Sequence, residues 1–290
     1  MWRIWVAALF WGLNWPAVKI LLGGVPPWTL RTLGLGIGAV LLALLTMLSG
    51  RSLRVPRGDF GALIVASLLN VTGFNICAVF AQLSMPASQA AILTFTMPFW
   101  ATLLGFAVLG ERIDGLRAAS LLLGAAGIAL LVLPFFPALQ ADGVPMGLVW
   151  VLGAAISWAA GTVYTKARPI AADALAVTTW QVAVGALVCA AGLALFETPA
   201  FDMRDPRVLW AFAYHVALPQ CLAYALWFSL IRHVTSATAA LGTLLVPVFG
   251  VTGAMVILGE RPAVLDLAGF ALMLAAVVLD QIVRAARGKA

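Results

Sequence analysis

Charge is scarce in this chain: Asp, Glu, Lys and Arg supply 10% of its 290 residues, where a water-soluble domain carries about 25%. A soluble globular protein of this length is thereby excluded. Acidic residues number eleven, and every one falls in a loop or at the end of an apolar run. A proton-coupled exporter of cationic drugs needs a carboxylate at membrane depth, to hold the cation and exchange it for a proton, so the sequence disfavours that mechanism. Cysteine is limited to Cys77, Cys189 and Cys221, all inside apolar runs, with no CxxC pair and no histidine at metal spacing. They read as small packing residues, which leaves no disulfide framework, metal or cofactor to expect.

Other absences narrow the function further. No nucleophile, ligand cluster or acid pair marks an enzyme, and no ring of like charges or glycine-rich filter marks a channel. The pI near 9.8 and net charge of +6 could suit nucleic acid in a soluble protein. Here the basic residues gather in short loops, where a bilayer partner explains them and nucleic acid is not needed. No polar stretch is long enough for a separate soluble domain. The N-terminal stretch lacks a small-residue cleavage site and reads as a retained helix.

What is present is apolar: 63% of residues are hydrophobic and the mean hydropathy is +1.06. Breaks at Gly, Pro and charge clusters predict an all-α, polytopic membrane protein with ten transmembrane helices. Their approximate spans are 3–23, 28–49, 60–83, 87–110, 114–134, 145–166, 173–196, 208–231, 236–258 and 263–284, each about the length that crosses a bilayer.

The chain also repeats itself. ASQAAILTFTMPFWATLLGFAVLGERID, from Ala87 to Asp114, returns as ATAALGTLLVPVFGVTGAMVILGERPA. An offset of 149 lays Thr94 on Thr243, Pro98 on Pro247 and Gly110-Glu111-Arg112 on Gly259-Glu260-Arg261. An offset of 147 lays Trp11 on Trp158 and Lys19 on Lys166. Residues 1–140 and 141–290 then form two five-helix repeats. Because five is odd, the second must enter the membrane from the opposite side, giving a 5+5 inverted repeat. Each proline removes a backbone donor and frees the carbonyl of Thr94 or Thr243 four residues earlier. These helix kinks either close on their own threonines or frame a midplane cavity.

Lysine and arginine set the expected orientation. Twelve lie on the side of the two termini, among them Arg51, Arg54, Arg57 and Lys166, and five on the other: Lys19, Arg31, Arg204, Arg207 and Arg261. Both termini are expected in the cytoplasm. Lys19 and Lys166 approach membrane depth, and each either snorkels or attracts a substrate carboxylate. His215 and His233 read as interfacial or packing residues.

Helical spacing groups polar and aromatic side chains into a possible binding surface. Thr96 and Trp100 share a face, as do Asn75 and Gln82; Trp158, Thr162 and Thr165 form a stripe, and Gln220, Tyr224 and Trp227 another. Indole and phenol faces can stack on an aromatic solute or attract an ammonium group. Each also has a plainer role in interfacial belts or helix contacts.

The ten spans, the inverted duplication and the two helices ending in Gly-Glu-Arg resemble the drug/metabolite transporter superfamily, specifically its EamA-type permeases. FWGLNWPAVK, Phe10 to Lys19, resembles the family's first helix. Length and aromatic content are most similar to bacterial inner-membrane aromatic amino acid exporters. The resemblance implies a cavity lined by spans one, three, four, six, eight and nine, carrying Asn14, Asn75, Trp100 and Trp158. It also implies export of small metabolites, amino acids foremost, by alternating access; multidrug or nucleoside export is the alternative.

Overall fold

Proline and glycine punctuate an otherwise continuous apolar chain, and helices start and stop where they fall. The computed structural model describes residues 2–111, 115–141, 143–223, 226 and 236–287, which contain helices and no strands. In chain order these are α1 (Trp2–Leu21), α2 (Pro27–Leu48), α3 (Phe60–Ser67), α4 (Phe74–Ser84), α5 (Ala87–Thr94), α6 (Met97–Leu109), α7 (Gly115–Val132), α8 (Phe136–Ala141), α9 (Met146–Ala167), α10 (Ala174–Phe196), α11 (Pro206–Ala217), α12 (Ser236–Leu258) and α13 (Val264–Arg287). Pro26, Pro86 and Pro145 precede α2, α5 and α9, where a fixed φ is helpful and a missing N–H harmless.

The two Gly-Glu-Arg motifs end their helices alike. Gly110 and Gly259 take φ of 64° and 69°, a left-handed turn that glycine adopts without a Cβ clash. The following N–H of Glu111 or Glu260 then reaches back 3.3 Å to the carbonyl of Gly105 or Ala254.

Among the described residues seven helical stretches are long and apolar enough to cross a bilayer: Pro27–Leu48, Arg57–Ser84, Ala87–Leu109, Gly115–Phe135, Met146–Ala167, Ala174–Phe196 and Val264–Ile282. Two shorter apolar helices, Trp5–Leu21 and Leu244–Leu258, fall at the expected first and ninth spans. The expected eighth begins with α11 and is described only to residue 223 and at 226.

Helix ends mark two faces of the bundle. At one, Lys166 pairs with Glu111 and Arg51 with Asp173. At the other, Lys19 meets the Met85 carbonyl, and Gly147 at the start of α9 packs on Ser84 and Met85. Helix α1 therefore ends at the face where α9 begins, and the two run in opposite directions. The main helix pairs are α1 with α12, α2 with α10, α7 with α13, and α9 with both α4 and α6. Helices α7 and α13 approach each other closely. A Cβ on Gly127 would sit 2.9 Å from the Gly269 carbonyl, and one on Gly269 would sit 2.9 Å from the Gly127 carbonyl, so only glycine allows this approach.

Two wide turns interrupt the helices. The chain is π-helical over Leu68–Gly73, between α3 and α4, and again over Leu218–Leu222 after α11. The positions correspond at an offset near 149, and such turns release carbonyls from the regular ladder. The proline regions diverge. Pro247 lies inside the continuous α12, whereas α5 stops at Thr94 and Pro98 sits in the first turn of α6. The expected kink at Pro98 is thus a helix start, where proline forfeits no interior bond. Thr94 does not cap it: among the described residues its buried hydroxyl has no partner. Thr96 bridges the break by donating to the Leu93 carbonyl at 2.8 Å.

Candidate functional site

A cavity of about 530 Å³ opens between the halves, lined by α1, α2, α4, α6, α9, α10, α12 and both π-helical turns. Its volume suits a small organic solute. The wall is exposed at Trp158 and Thr162 and buried at Val18, Arg31 and Gln82. It therefore opens toward the Lys166 face and is blind toward the Lys19 face. Among the described residues no Asp or Glu lines it.

The widened turns shape the wall. The Leu69 carbonyl accepts from Ser157 Oγ at 2.7 Å, and the Pro219 carbonyl accepts from the Trp11 indole at 3.1 Å. Helices α9 and α1 thus hold the two turns in the same manner. Gly161 makes the first contact possible, since a Cβ there would lie 2.8 Å from the Asn70 nitrogen. On the exposed side of the wall Trp158 packs edge-on against Phe74 with centroids 5.1 Å apart, and Trp11, Trp15 and Phe95 add further aromatic lining.

Of the residues expected at a site, Asn14, Asn75, Gln82 and Trp158 line the cavity. Asn75 Nδ2 donates locally to the Val71 carbonyl at 2.9 Å. Asn14 Oδ1 accepts from His215 Nδ1 at 2.7 Å, joining α1 to α11. Gln82 is 2% exposed and, among the described residues, its Oε1 has no partner. Thr96 and Trp100 are not on the wall. The Trp100 indole donates to Thr96 Oγ1 at 3.1 Å and its ring packs edge-on against Phe99. Tyr224 and Trp227 lie outside the described residues, as does the Thr243 side chain.

The two repeat-related lysines are engaged elsewhere. Lys19 donates to the Gln82 and Met85 carbonyls at the end of α4, the position where a cation best meets a helix C-terminus. Lys166 donates to Glu111, which also accepts from Arg117 at 3.1 Å. The hydrogen bond from Lys166 holds the Glu111 carboxyl below the usual carboxylate range; burial opposes it, and the charges of Lys166 and Arg117 add to the lowering. Glu260 takes a different partner from its repeat mate. It accepts from Ala87 N and Ser88 N, both at 2.8 Å, and from Ser88 Oγ at 2.5 Å, capping α5. Glu197 does the same for α2, accepting from Trp28 N at 3.0 Å and Thr29 N at 2.6 Å.

Sequence reasoning missed Arg31, read as a boundary cation. It lies inside α2, 4% exposed, on the cavity wall. It also missed how deeply His215 is buried. The buried acid Asp280 lies away from this cavity, 3.6 Å from Arg117. Among the described residues no group of His, Cys, Asp and Glu gathers at metal-binding geometry.

Comparison with known proteins agrees with this architecture. The EamA-like transporter family matches twice, over residues 2–133 and 145–279. The chain is similar to a probable amino-acid metabolite efflux pump of Salmonella typhimurium, 26% identical over 95% of this chain and 92% of that protein. It is 30% identical to the uncharacterized transporter YetK of Bacillus subtilis, over 76% of this chain and 68% of the relative. A solved crystal structure superposes with a TM-score of 0.67 at 21% identity, covering 97% of this chain and 96% of the other.

Proposed function

Because this chain belongs to the EamA-like transporter family, we propose that it is a secondary transporter exporting small metabolites, chiefly aromatic or other neutral amino acids, across the bacterial inner membrane. Residues 1–140 and 141–290 act as two five-helix repeats of opposite orientation, ten spans in all, that rock around one midplane site. The observation that carries this reading is the cavity between the halves, walled by Trp158, Phe74, Asn75 and Gln82 and without a carboxylate. Its aromatic surface offers stacking and its amides offer hydrogen bonds, which suits neutral and zwitterionic solutes.

The excess of Lys and Arg on the terminal side supports cytoplasmic termini. The Lys166 face is then cytoplasmic and the cavity is open inward, the state that loads an exporter. At the far face Glu260, Glu197 and Lys19 tie helix ends together and form the outer seal. A counterflow assay in proteoliposomes, with radiolabelled amino acids, nucleosides and cationic dyes, tests the substrate class. Exchange of neutral amino acids is the expected result. Exchange of dyes or nucleosides alone would replace this reading with multidrug or nucleoside export.

A further inference from the structure

We infer that Arg31 is an anion-binding site at the blind end of the cavity, holding the carboxylate of the transported solute while the Gln82 amide oxygen receives its ammonium group. The inference rests on the transport reading above and narrows it to solutes that carry a carboxylate.

Arg31 is 4% exposed and on the cavity wall, and among the described residues its guanidinium makes no ion pair or hydrogen bond. A buried charge in that condition is strongly unfavourable unless a partner arrives. The other buried arginine, Arg117, has Glu111 and Asp280 beside it. The carboxylates described at the Arg31 end are already committed: Glu197 to the first turn of α2, Glu260 to the first turn of α5, Asp202 to the Arg204 N–H and Asp205 to the first turn of α11. His215 is no counterion. Its Nδ1 donates to Asn14, so a neutral ring presents only the bare Nε2, which is itself unpartnered.

Arg31 does not reach solvent either, being 4% exposed. Gly34, one turn deeper along α2, abuts the His215 ring so closely that a Cβ there would lie 2.7 Å from Nε2. The planar fork of donors matches the two oxygens of a carboxylate. Gln82, 2% exposed on the same wall with an unpartnered Oε1, supplies the complementary acceptor. A solute bound head-first would direct its side chain toward Phe74 and Trp158 at the mouth. The offset that pairs Trp11 with Trp158 sets Thr178 against Arg31. The charge therefore belongs to one half alone and fixes which way the solute points.

The test uses three matched probes: phenylalanine, its decarboxylated amine phenethylamine, and its deaminated acid 3-phenylpropanoate. Counterflow is measured for the wild type, Arg31→Gln, Arg31→Lys and Gln82→Leu, with melting temperatures in detergent. In the wild type both carboxylate probes should exchange and phenethylamine should not. Arg31→Gln should raise KM for both carboxylates about 30-fold, the scale of a lost charge-assisted pair, with its melting temperature unchanged or raised. Arg31→Lys should recover part of the affinity. Gln82→Leu should weaken phenylalanine and spare 3-phenylpropanoate. Wild-type KM in Arg31→Gln would overturn the proposal, and so would wild-type exchange of phenethylamine as readily as phenylalanine, even if no Arg31 variant folds. Exchange of 3-phenylpropanoate without any amino acid would support Arg31 and sink the amino-acid reading. Exchange of phenethylamine alone would sink the anchor and leave transport standing, and no exchange of any probe would sink the anchor and the amino-acid reading together.

Discussion

The seal proposed at the Lys19 face can be weakened at a single atom. Glu260 joins the end of α12 to the start of α5 through three hydrogen bonds, two to backbone N–H groups at 2.8 Å and one to Ser88 Oγ at 2.5 Å. Glu260→Gln keeps one acceptor oxygen, turns an NH₂ toward donors and removes a negative charge from a helix N-terminus. A charge-assisted bond contributes about 1.5–3 kcal/mol and the helix-end charge about 0.3–1 kcal/mol, so the closed face should lose about 2 kcal/mol. That corresponds to about a 30-fold shift toward the state open at the Lys19 face. Val18 reports it, being 1% exposed on the blind wall. With Cys77, Cys189 and Cys221 replaced, Val18→Cys should react with a membrane-impermeant maleimide up to about 30 times faster in the Glu260→Gln background. Glu111→Gln, altering the opposite face, should not accelerate it. Unchanged labelling in a folded Glu260→Gln protein, or equal acceleration by both variants, would refute the assignment of Glu260 to the seal.

Three further outcomes follow from the geometry. The folded pKa of Glu111 is depressed, first by the Lys166 hydrogen bond and then, against burial, by the charges of Lys166 and Arg117. Its contribution to stability is therefore complete above the unfolded carboxylate value of about 4.3 and is lost as pH falls through the folded one. Melting temperature should drop more steeply on acidification below about pH 4.3 in the wild type than in Glu111→Gln, and equal slopes would contradict this. Trp158→Ala should raise KM in counterflow, whereas Trp100→Ala, off the wall, should lower thermal stability by about 1–3 kcal/mol and leave KM unchanged; a KM effect confined to Trp100 would relocate the site. Gly161→Ala places a Cβ 2.8 Å from the Asn70 nitrogen and should cost about 1–3 kcal/mol, read by thermal melting; an unchanged melting temperature would mean that α9 does not rest on the widened turn.

The helical class was legible because apolar length and terminal glycine act locally. Gly110 and Gly259 end their helices with the same left-handed turn, so the motif marks a helix end wherever it occurs. The two prolines show the limit. Identical spacing from threonine gives a helix start at Pro98 and an interior position at Pro247, because the packing around each helix decides whether the chain breaks or bends. The π-helical turns were invisible to periodicity. One extra residue over Leu68–Gly73 rotates everything beyond it, and the only hint was a polar Asn70 and a Pro219 within apolar runs. Trp100 shares a helix face with Thr96, as spacing predicts, but the pair is closed on itself at 3.1 Å; a shared face does not say what the face meets.

Arg31 carries the sharper lesson. Four residues from the start of α2, it has the address of a boundary cation, and a long aliphatic stem ordinarily lets such a residue reach water. Whether it does depends on neighbours more than a hundred residues away in the chain. His215 fills the space beside Gly34, and Glu197 is bound to the very turn from which a counterion could have come. Lys19 is the counter-case: it reads as the deeper charge in the sequence, yet finds the free carbonyls at the end of α4 and is satisfied there. Depth along a span therefore ranks the two cations in the wrong order. What separates them is whether the fold supplies a partner, and for Arg31 it supplies an open cavity in the partner's place.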